Sequence, residues 1–303
     1  MSSTPRGGAH IDSDPASNSR IAGAPATTVE EVHAVVRDYP YTDLTNGRIL
    51  YDFIREHGLR RVLELGVCHG VSACYAGAAV ASLGGGRVVA VDRLDVAALD
   101  PGVLSFTEAL GLGEIVIPFF ERVTYNWRLR DFLVSDPRPT FDLVFIDGAH
   151  TWEPDALAFL LSERLLRPGG WWIFDDLGWS IGSSPTARLP GPGQLTMRDD
   201  ELDACQVRDV IDLIVRPHPQ VAHWHENGKW GFARKKTVEE IEAEAMLDDG
   251  LREKAAATLA HARENYPEPI EVPPGLAPPD WQRIVNRGLE QNRLARLARS
   301  QQG

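Results

Sequence analysis

The chain has 303 residues, of which 43% are hydrophobic and 24% charged, an ordinary composition for a globular protein with a sizeable core. Its formal net charge of −12 would repel a phosphate backbone, and its Lys and Arg residues form no clustered face, so nucleic acid is not an expected partner. Residues 71–86 are uncharged but too short and too rich in glycine to cross a bilayer, which needs about 20 apolar residues, so no membrane partner is expected.

The cysteines and the first residues bear on location. Cys68, Cys74 and Cys205 have no ligand-like spacing and leave an odd thiol, which favours a reducing compartment over a disulfide framework. Residues 1–27 are rich in Ser, Pro, Gly and Ala and lack the charged-then-apolar order of a signal peptide. We therefore expect a cytoplasmic protein with a flexible tail over residues 1–27.

From residue 28 the apolar residues become periodic. The pattern predicts helices over residues 28–37 and 47–57. A βαβ unit follows, with apolar strands at residues 61–65 and 88–92 and a helix of small residues at 72–83 between them.

Strands and helices continue to alternate as far as residue 175. Further strands are predicted at residues 115–120, 141–147 and 171–175. The intervening helices end near residue 111 and cover residues 125–134 and 153–166, and a Pro-Gly-Gly break follows at 168–170. Strands that are apolar throughout and alternate with helices indicate a parallel sheet covered on both faces.

The last part of the core differs, because two strands follow one helix. The helix is predicted over residues 202–215 and the strands over 221–226 and 230–234, joined across Asn227-Gly228, a strong hairpin signal. One strand should therefore run antiparallel to the rest. The prediction is a doubly wound, Rossmann-like α/β fold with a mostly parallel seven-stranded sheet and an antiparallel C-terminal hairpin strand.

The domain boundaries follow from these elements. One α/β domain is predicted over residues 28–236, and residues 237–303 form a helical C-terminal extension that contains a proline-rich linker. The extension carries no recognisable chemistry.

The turn after the first predicted strand runs from Glu64 to Ser72 and reads ELGVCHGVS. In open α/β sheets ligands bind beyond the carboxyl ends of the strands, so a cofactor is expected at this turn. Gly66 and Gly70 allow a sharp turn close to a ligand, and Glu64 adds a negative charge that suits a cationic cofactor. The two glycines alone would fit a plain strand-to-helix turn equally well.

Two further residues bear on the identity of the cofactor. Cys68 stands where the G-x-G-x-x-G motif of pyrophosphate sites has its middle glycine, which disfavours NAD. Asp92 ends the second strand, where it can bind the ribose hydroxyls of either cofactor.

The E-L-G-x-x-x-G-x-S sequence resembles the first motif of class I S-adenosylmethionine methyltransferases, in particular the catechol O-methyltransferase-like and macrolide-sugar O-methyltransferase groups. The resemblance covers about residues 45–235. It implies that the methionine part of S-adenosylmethionine is surrounded by Glu64, Gly66, Gly70 and Ser72, and that Asp92 binds its ribose.

Carboxylates end two neighbouring predicted strands, Asp147 on one and Asp175 and Asp176 on the next. Parallel neighbours lie about 4.8 Å apart, so these carboxylates can converge on one cation. Oxygen ligands suit Mg²⁺, which keeps positions open for substrate oxygens. Each acid alone would more often be a helix cap or a surface residue. Together they predict a metal site, and Asp147 is also predicted to contact the cofactor.

This spacing is similar to that of the metal-dependent groups named above, which pair an Asp after the fourth strand with two acidic or amide residues after the fifth. Their general base lies three positions beyond the first Asp, which implies His150 as the catalytic base. Metal coordination would lower the pKa of an acceptor hydroxyl, and imidazole titrates near neutral pH. The alternative for His150 is a histidine that bonds only to backbone at a helix start.

The sequence thus predicts an S-adenosylmethionine- and Mg²⁺-dependent O-methyltransferase that acts on a small hydroxylated molecule, by analogy a sugar or phenol of a natural product. Two rivals stay open: an NAD-linked Rossmann oxidoreductase, and a non-catalytic ligand-binding or assembly module. Residues 178–198 form either a lid or a connector, and Tyr39 and Tyr41 are candidates for substrate contacts. A homo-oligomer is left open.

Overall fold

The computed structural model describes residues 24–184 and 197–247, together with positions 257 and 260. The strands in this part of the chain are β1 Arg61–Leu65, β2 Arg87–Arg93, β3 Val116–Glu121, β4 Phe141–Ile146, β5 Leu166–Phe174, β6 Val221–Asn227 and β7 Trp230–Lys235. The helices are α1 Val29–Val36, α2 Leu44–Glu56, α3 Val71–Ser82, α4 Val103–Ala109, α5 Asn126–Val134, α6 Trp152–Glu163, α7 Asp199–Asp203, α8 Gln206–Val210 and α9 Val238–Leu247. None of the described helices is long and apolar enough to cross a membrane.

The strands described here form one seven-stranded sheet in the order β3-β2-β1-β4-β5-β7-β6. Strands β1 to β5 pair in parallel, whereas β7 runs antiparallel between β5 and β6. The predicted mostly parallel, doubly wound sheet with an antiparallel hairpin is therefore confirmed. The chain moves outward from β1 to β3 and then returns to β4 beside β1, which creates a crevice at the carboxyl ends of β1 and β4.

Two apolar layers cover the sheet, because successive residues of a buried strand point to opposite faces. Val62 and Leu143 belong to the layer that contains α1 to α4, whereas Leu63 and Val144 belong to the layer that contains α5, α6 and α8. Helix α3 is buried at every position from Val71 to Val80 because it lies between other helices and the sheet. Its small residues permit this close packing, and its first turn is consequently held in place beside β1.

Several predicted boundaries are corrected by the structure. Ala26 is fully buried and its N–H donates to the carbonyl of Leu110, so ordered packing begins before the predicted boundary of the tail at residue 27. The predicted break at residues 168–170 is wrong, because β5 runs through it. Gly169 has φ +71° there, and the pairing with β4 skips from Leu166 to Trp171 as a bulge.

The helix predicted over residues 202–215 is divided. Ala204 has an extended backbone (φ −67°, ψ 138°), which ends α7. The Gln206 side chain donates to the carbonyl of Glu201 in α7 and accepts from the backbone N–H of Trp152, so it links α8 to α7 and to the start of α6. Helix α8 then continues as a π-helical turn, Ile211–Val215.

Three predicted segments lie wholly or mainly outside the described residues: positions 1–23 of the tail, positions 185–196 of the loop predicted over 178–198, and the part of the C-terminal extension beyond α9.

Candidate functional site

A cavity of about 550 Å³ opens at the carboxyl ends of β1, β2, β4 and β5. This volume lies within the range of about 300–1,000 Å³ that is typical of small-molecule sites. Most of the predicted site residues line it, namely Gly66, Ser72, Asp92, Asp147, His150, Asp175 and Asp176. The other two, Glu64 and Gly70, lie behind the wall. One cavity thus joins the predicted cofactor turn to the predicted acid cluster.

Gly66 lets the turn after β1 contact the turn after β4. Its φ is +97°, and a Cβ atom there would collide with the backbone carbonyl of Asp147. Gly70, with φ +88°, begins α3, and a Cβ there would collide with Val103. Both positions therefore require glycine for backbone and packing reasons. Of these two glycines, Gly66 lines the cavity and Gly70 does not.

Asp92 fixes the same turn from β2. Its Oδ2 atom accepts from the backbone N–H groups of Val67 at 2.7 Å and Cys68 at 2.8 Å. Its Oδ1 atom accepts from the N–H of Arg93 at 2.6 Å, so one of its roughly four acceptor positions stays open toward the cavity. Asp92 therefore shapes the cofactor turn and can still bind a ribose hydroxyl.

Glu64 is a buried carboxyl beneath the wall, only 1% exposed. Its Oε1 accepts from the Ser72 hydroxyl at 2.5 Å, and its buried Oε2 has no hydrogen-bond partner among the described residues. Burial raises the pKa of Glu64 to about 8, although the Ser72 hydrogen bond favours the charged form. The sequence predicted a negative charge in contact with the cofactor, whereas this carboxyl reaches the cavity through Ser72 and is largely neutral at pH 7.

Replacing Gly66 by alanine is expected to abolish measurable S-adenosylhomocysteine binding. The new Cβ would force the turns after β1 and β4 apart, and a non-glycine residue at this φ costs about 1–3 kcal/mol by itself. Calorimetric titration of the full chain measures the loss. Gly113→Ala is the matched control, because a Cβ at Gly113 would meet nothing within 4 Å. Equal affinity in the two variants would contradict the assigned role of Gly66.

The second half of the site is a cluster of acids with a lysine among them. Lys229 Nζ lies 3.0 Å from Asp175 Oδ2 and 3.0 Å from Asp176 Oδ1, and donates to both. Trp230 Nε1 donates to Asp175 Oδ1 at 2.5 Å. Burial opposes the charge on Lys229, but the Asp175 and Asp176 carboxylates outweigh it and raise the pKa of Lys229. An ammonium group therefore lies where the sequence predicted a metal.

Asp147 and His150 complete this half of the wall. Burial, and after it the Asp175 carboxylate, raises the pKa of Asp147 well above its usual range. His150 Nε2 lies 3.6 Å from Asp147 Oδ1 and 3.9 Å from Asp176 Oδ2, and its ring packs on Trp179 with centroids 5.5 Å apart. Both nitrogen–oxygen distances exceed a hydrogen bond. The imidazole is thus flanked by carboxyls without being bonded to them.

Tyr125 holds the turn that carries His150. Its hydroxyl donates to Asp155 Oδ1 at 2.5 Å and accepts weakly from the backbone N–H of Ala149 at 3.4 Å. A Cβ at Gly148 would collide with the Tyr125 ring, so glycine is needed where this ring packs. The ring and its hydroxyl therefore position residues 148–150.

Backbone strain is concentrated at the cavity. All four non-glycine residues with positive φ in the described part of the chain line it: Tyr41 (+85°), Cys68 (+47°), His150 (+51°) and Asp176 (+57°). Such conformations cost free energy and cluster at sites where function constrains the backbone. This distribution is an independent sign that the cavity is the functional site.

Comparison with known proteins identifies the domain. Residues 63–177 match a family model described as a methyltransferase domain, and these residues contain most of β1, all of β2 to β5 and all the predicted site acids. Residues 63–177 belong to a methyltransferase domain. The resemblance to methyltransferases inferred from the Glu64 to Ser72 turn is therefore confirmed. No curated protein sequence matches the chain.

Solved structures show the same fold. The O-methyltransferase of Bacillus cereus in complex with S-adenosylhomocysteine is 23% identical, with a TM-score of 0.50 over 69% of this chain and 90% of that chain. An S-adenosylhomocysteine-bound methyltransferase of Podospora anserina is 17% identical, with a TM-score of 0.50 over 70% of this chain and 88% of that chain. At these identities the likeness concerns the fold alone.

The cavity is also lined by residues that the sequence did not predict. Lys229 and Tyr125 lie on the cavity wall, and so do Arg93, the last residue of β2, and Val123, which follows β3. Tyr41, a predicted substrate contact, lines the cavity and is 72% exposed, whereas Tyr39 packs on His69 and Phe106 behind it. In the sequence Lys229 is distinguished only by its position directly after Asn227-Gly228, the pair that predicts the hairpin turn.

Proposed function

We propose that this methyltransferase domain transfers the methyl group of S-adenosylmethionine to a hydroxyl oxygen of a small molecule. The observation that carries the proposal is the imidazole of His150 on the cavity wall, flanked by Asp147 and Asp176 at distances that leave its Nε2 atom able to accept a proton. A hydroxyl needs such a base because it is a weak nucleophile until its proton is removed.

The cavity fits S-adenosylmethionine on three grounds. Gly66 leaves the backbone of the turn uncovered, and Asp92 keeps an acceptor position for ribose. Glu64 adds a buried, unpaired carboxyl oxygen behind Ser72, which could ionise in the presence of a cation. When bound, S-adenosylmethionine supplies an electrophilic methyl group on a sulfonium and leaves as the neutral thioether.

The protein's own groups then handle the proton. The acceptor hydroxyl gives its proton to His150 Nε2 as its oxygen forms the bond to the methyl carbon, and the resulting imidazolium lies beside the carboxylate of Asp176. Positive charge thus moves to His150, where an acid stabilises it. Trp179 packs on the ring and restricts its orientation.

The sequence predicted a magnesium ion bound by Asp147, Asp175 and Asp176, but in the structure the arrangement of these side chains does not fit a divalent ion. Lys229 Nζ is between Asp175 and Asp176, and among the described residues no group of three or more His, Cys, Asp or Glu residues has the geometry of a metal site. No step of the proposed reaction passes through a metal.

The acceptor class is also part of the proposal. Exposed Tyr41 at the cavity rim offers a ring against which a phenol or a sugar could pack, which agrees with an aromatic or sugar hydroxyl of a natural product. The free thiols of Cys68, Cys74 and Cys205 agree with a cytoplasmic location.

Calorimetry of the full chain with S-adenosylmethionine, S-adenosylhomocysteine and NAD(H) tests the cofactor. We expect the two sulfur compounds to bind and the nicotinamides to give no heat, because the turn lacks a pyrophosphate motif. A panel of phenols and sugars, assayed by S-adenosylhomocysteine formation, then tests the acceptor. Binding of NAD(H) alone would overturn the proposal, and turnover confined to amines or thiols would overturn the hydroxyl assignment.

A further inference from the structure

Lys229 is built into the site by the hairpin between β6 and β7. Asn227 pairs with Trp230, so the turn consists of Gly228, with φ +63°, and Lys229. The backbone carbonyl of Lys229 accepts from the N–H of Leu177 at 3.1 Å, just beyond the two acids. Both ends of this residue are therefore anchored, and its side chain is only 31% exposed.

Three of the acceptor positions of Asp175 are already used. An ionised carboxylate has about four of them. Oδ1 accepts from Trp230 Nε1 and from the backbone N–H of Asp176, and Oδ2 accepts from Lys229. A divalent ion could bind both oxygens of this carboxylate only by displacing groups that the fold holds in place.

We propose that the ammonium group of Lys229 is the resident cation of this site, in the place between Asp175 and Asp176 that a divalent metal would need, and that methyl transfer here is metal-independent. The inference rests on the proposed O-methyl transfer and adds a residue to it. An ammonium has three N–H donors, of which two bind these carboxylates.

The third donor gives Lys229 a role toward the acceptor. Besides the two carboxylates, Lys229 Nζ contacts the backbone carbonyl of Tyr41, at 3.5 Å, a weak contact. An acceptor oxygen that enters between Tyr41 and His150 can take this donor. The positive charge then stabilises the oxygen as its proton passes to His150, which is the effect that a metal would otherwise supply.

Divalent-ion binding tests the proposal without an acceptor. The full chain, saturated with S-adenosylhomocysteine, is titrated with Mn²⁺ and followed by electron paramagnetic resonance, as wild type, Lys229→Met and Lys236→Met. Removal of the ammonium should raise Mn²⁺ affinity about tenfold or more, because two acids lose their counter-charge. Lys236→Met is the matched control, since Lys236 pairs with Glu244 outside the cavity and its loss should change nothing.

Three results of these measurements would overturn the proposal. Tight Mn²⁺ binding by the wild type, equal to that of Lys229→Met, would overturn the proposal, and so would failure of both proteins to bind, because the acids would then not be a cation site. With an active acceptor, wild-type turnover should persist in EDTA, and loss of turnover restored by Mg²⁺ would overturn metal independence. If S-adenosylhomocysteine itself does not bind to the wild type, the proposed function fails instead.

Discussion

Replacing His150 by asparagine is expected to lower kcat by about 10²–10⁴-fold, the range that a positioned general base contributes. Asparagine tolerates the left-handed backbone that His150 adopts at φ +51°, so the turn should keep its shape while the proton acceptor is lost. The affinity for S-adenosylhomocysteine should stay within about twofold, because the Gly66 turn and Asp92 are unchanged. Steady-state kinetics and calorimetry measure the two quantities separately.

A control variant and a rescue experiment distinguish a general base from a structural role for His150. His223→Ala removes an exposed histidine from edge strand β6, outside the cavity, and should leave turnover unchanged. If His150 acts as a base, added imidazole should restore part of the turnover of His150→Gly, and activity should increase with the concentration of unprotonated imidazole. Near wild-type kcat in His150→Asn would show that another group removes the proton.

The strand pattern could be predicted because burial on both faces makes parallel strands apolar throughout. Because these strands run parallel, their carboxyl ends lie on the same side of the sheet. Asp92, Asp147 and Asp175, which lie at or directly after those ends, are therefore neighbours. The candidate acids could thus be proposed from sequence positions alone. The start of β5 was predicted too late, at residue 171, because the Pro-Gly-Gly sequence is typical of a turn between a helix and a strand. In the structure Gly169 lies within a bulge of the strand.

Lys229 could not be predicted in the same way. Its position depends on β7, rather than β6, lying next to β5, so that the residues before β7 meet the carboxyl end of β5. If β6 instead paired antiparallel with β5, the hairpin turn would lie near the amino end of β5, away from the cavity. Strand order in an antiparallel hairpin is a tertiary choice that periodicity does not encode. The metal prediction rested on the acids alone, because nothing in the sequence indicates that Lys229 lies between Asp175 and Asp176.

The apo protein is expected to lose stability as pH rises, because of Glu64. The pKa of this carboxyl is about 8 in the folded chain, against about 4.3 when unfolded. Between these values the unfolded state has lost the proton that the folded state retains, so the free energy of unfolding falls with rising pH. The full fall, complete above about pH 8, is on the order of 4–5 kcal/mol.

Glu64→Gln should remove this part of the pH dependence, because an amide stays neutral. Urea unfolding of the cofactor-free full chain at pH 5 to 9 measures it, and the difference between wild type and variant isolates Glu64 from Asp147, whose pKa is also raised. Exposed Glu56 supplies the control, Glu56→Gln, which should follow the wild type at every pH. Parallel curves for wild type and Glu64→Gln would show that Glu64 is already ionised in the folded apo protein.

The same titration connects Glu64 to the methyl donor. A sulfonium in the cavity would favour the charged carboxylate behind Ser72, so binding of S-adenosylmethionine near pH 7 should release a proton that the neutral thioether product does not release. Calorimetry in buffers of different ionisation enthalpy detects that proton, and Glu64→Gln should not release it. A carboxyl that is neutral without the donor and charged with it would favour the reactant over the product, because only the reactant carries the positive charge.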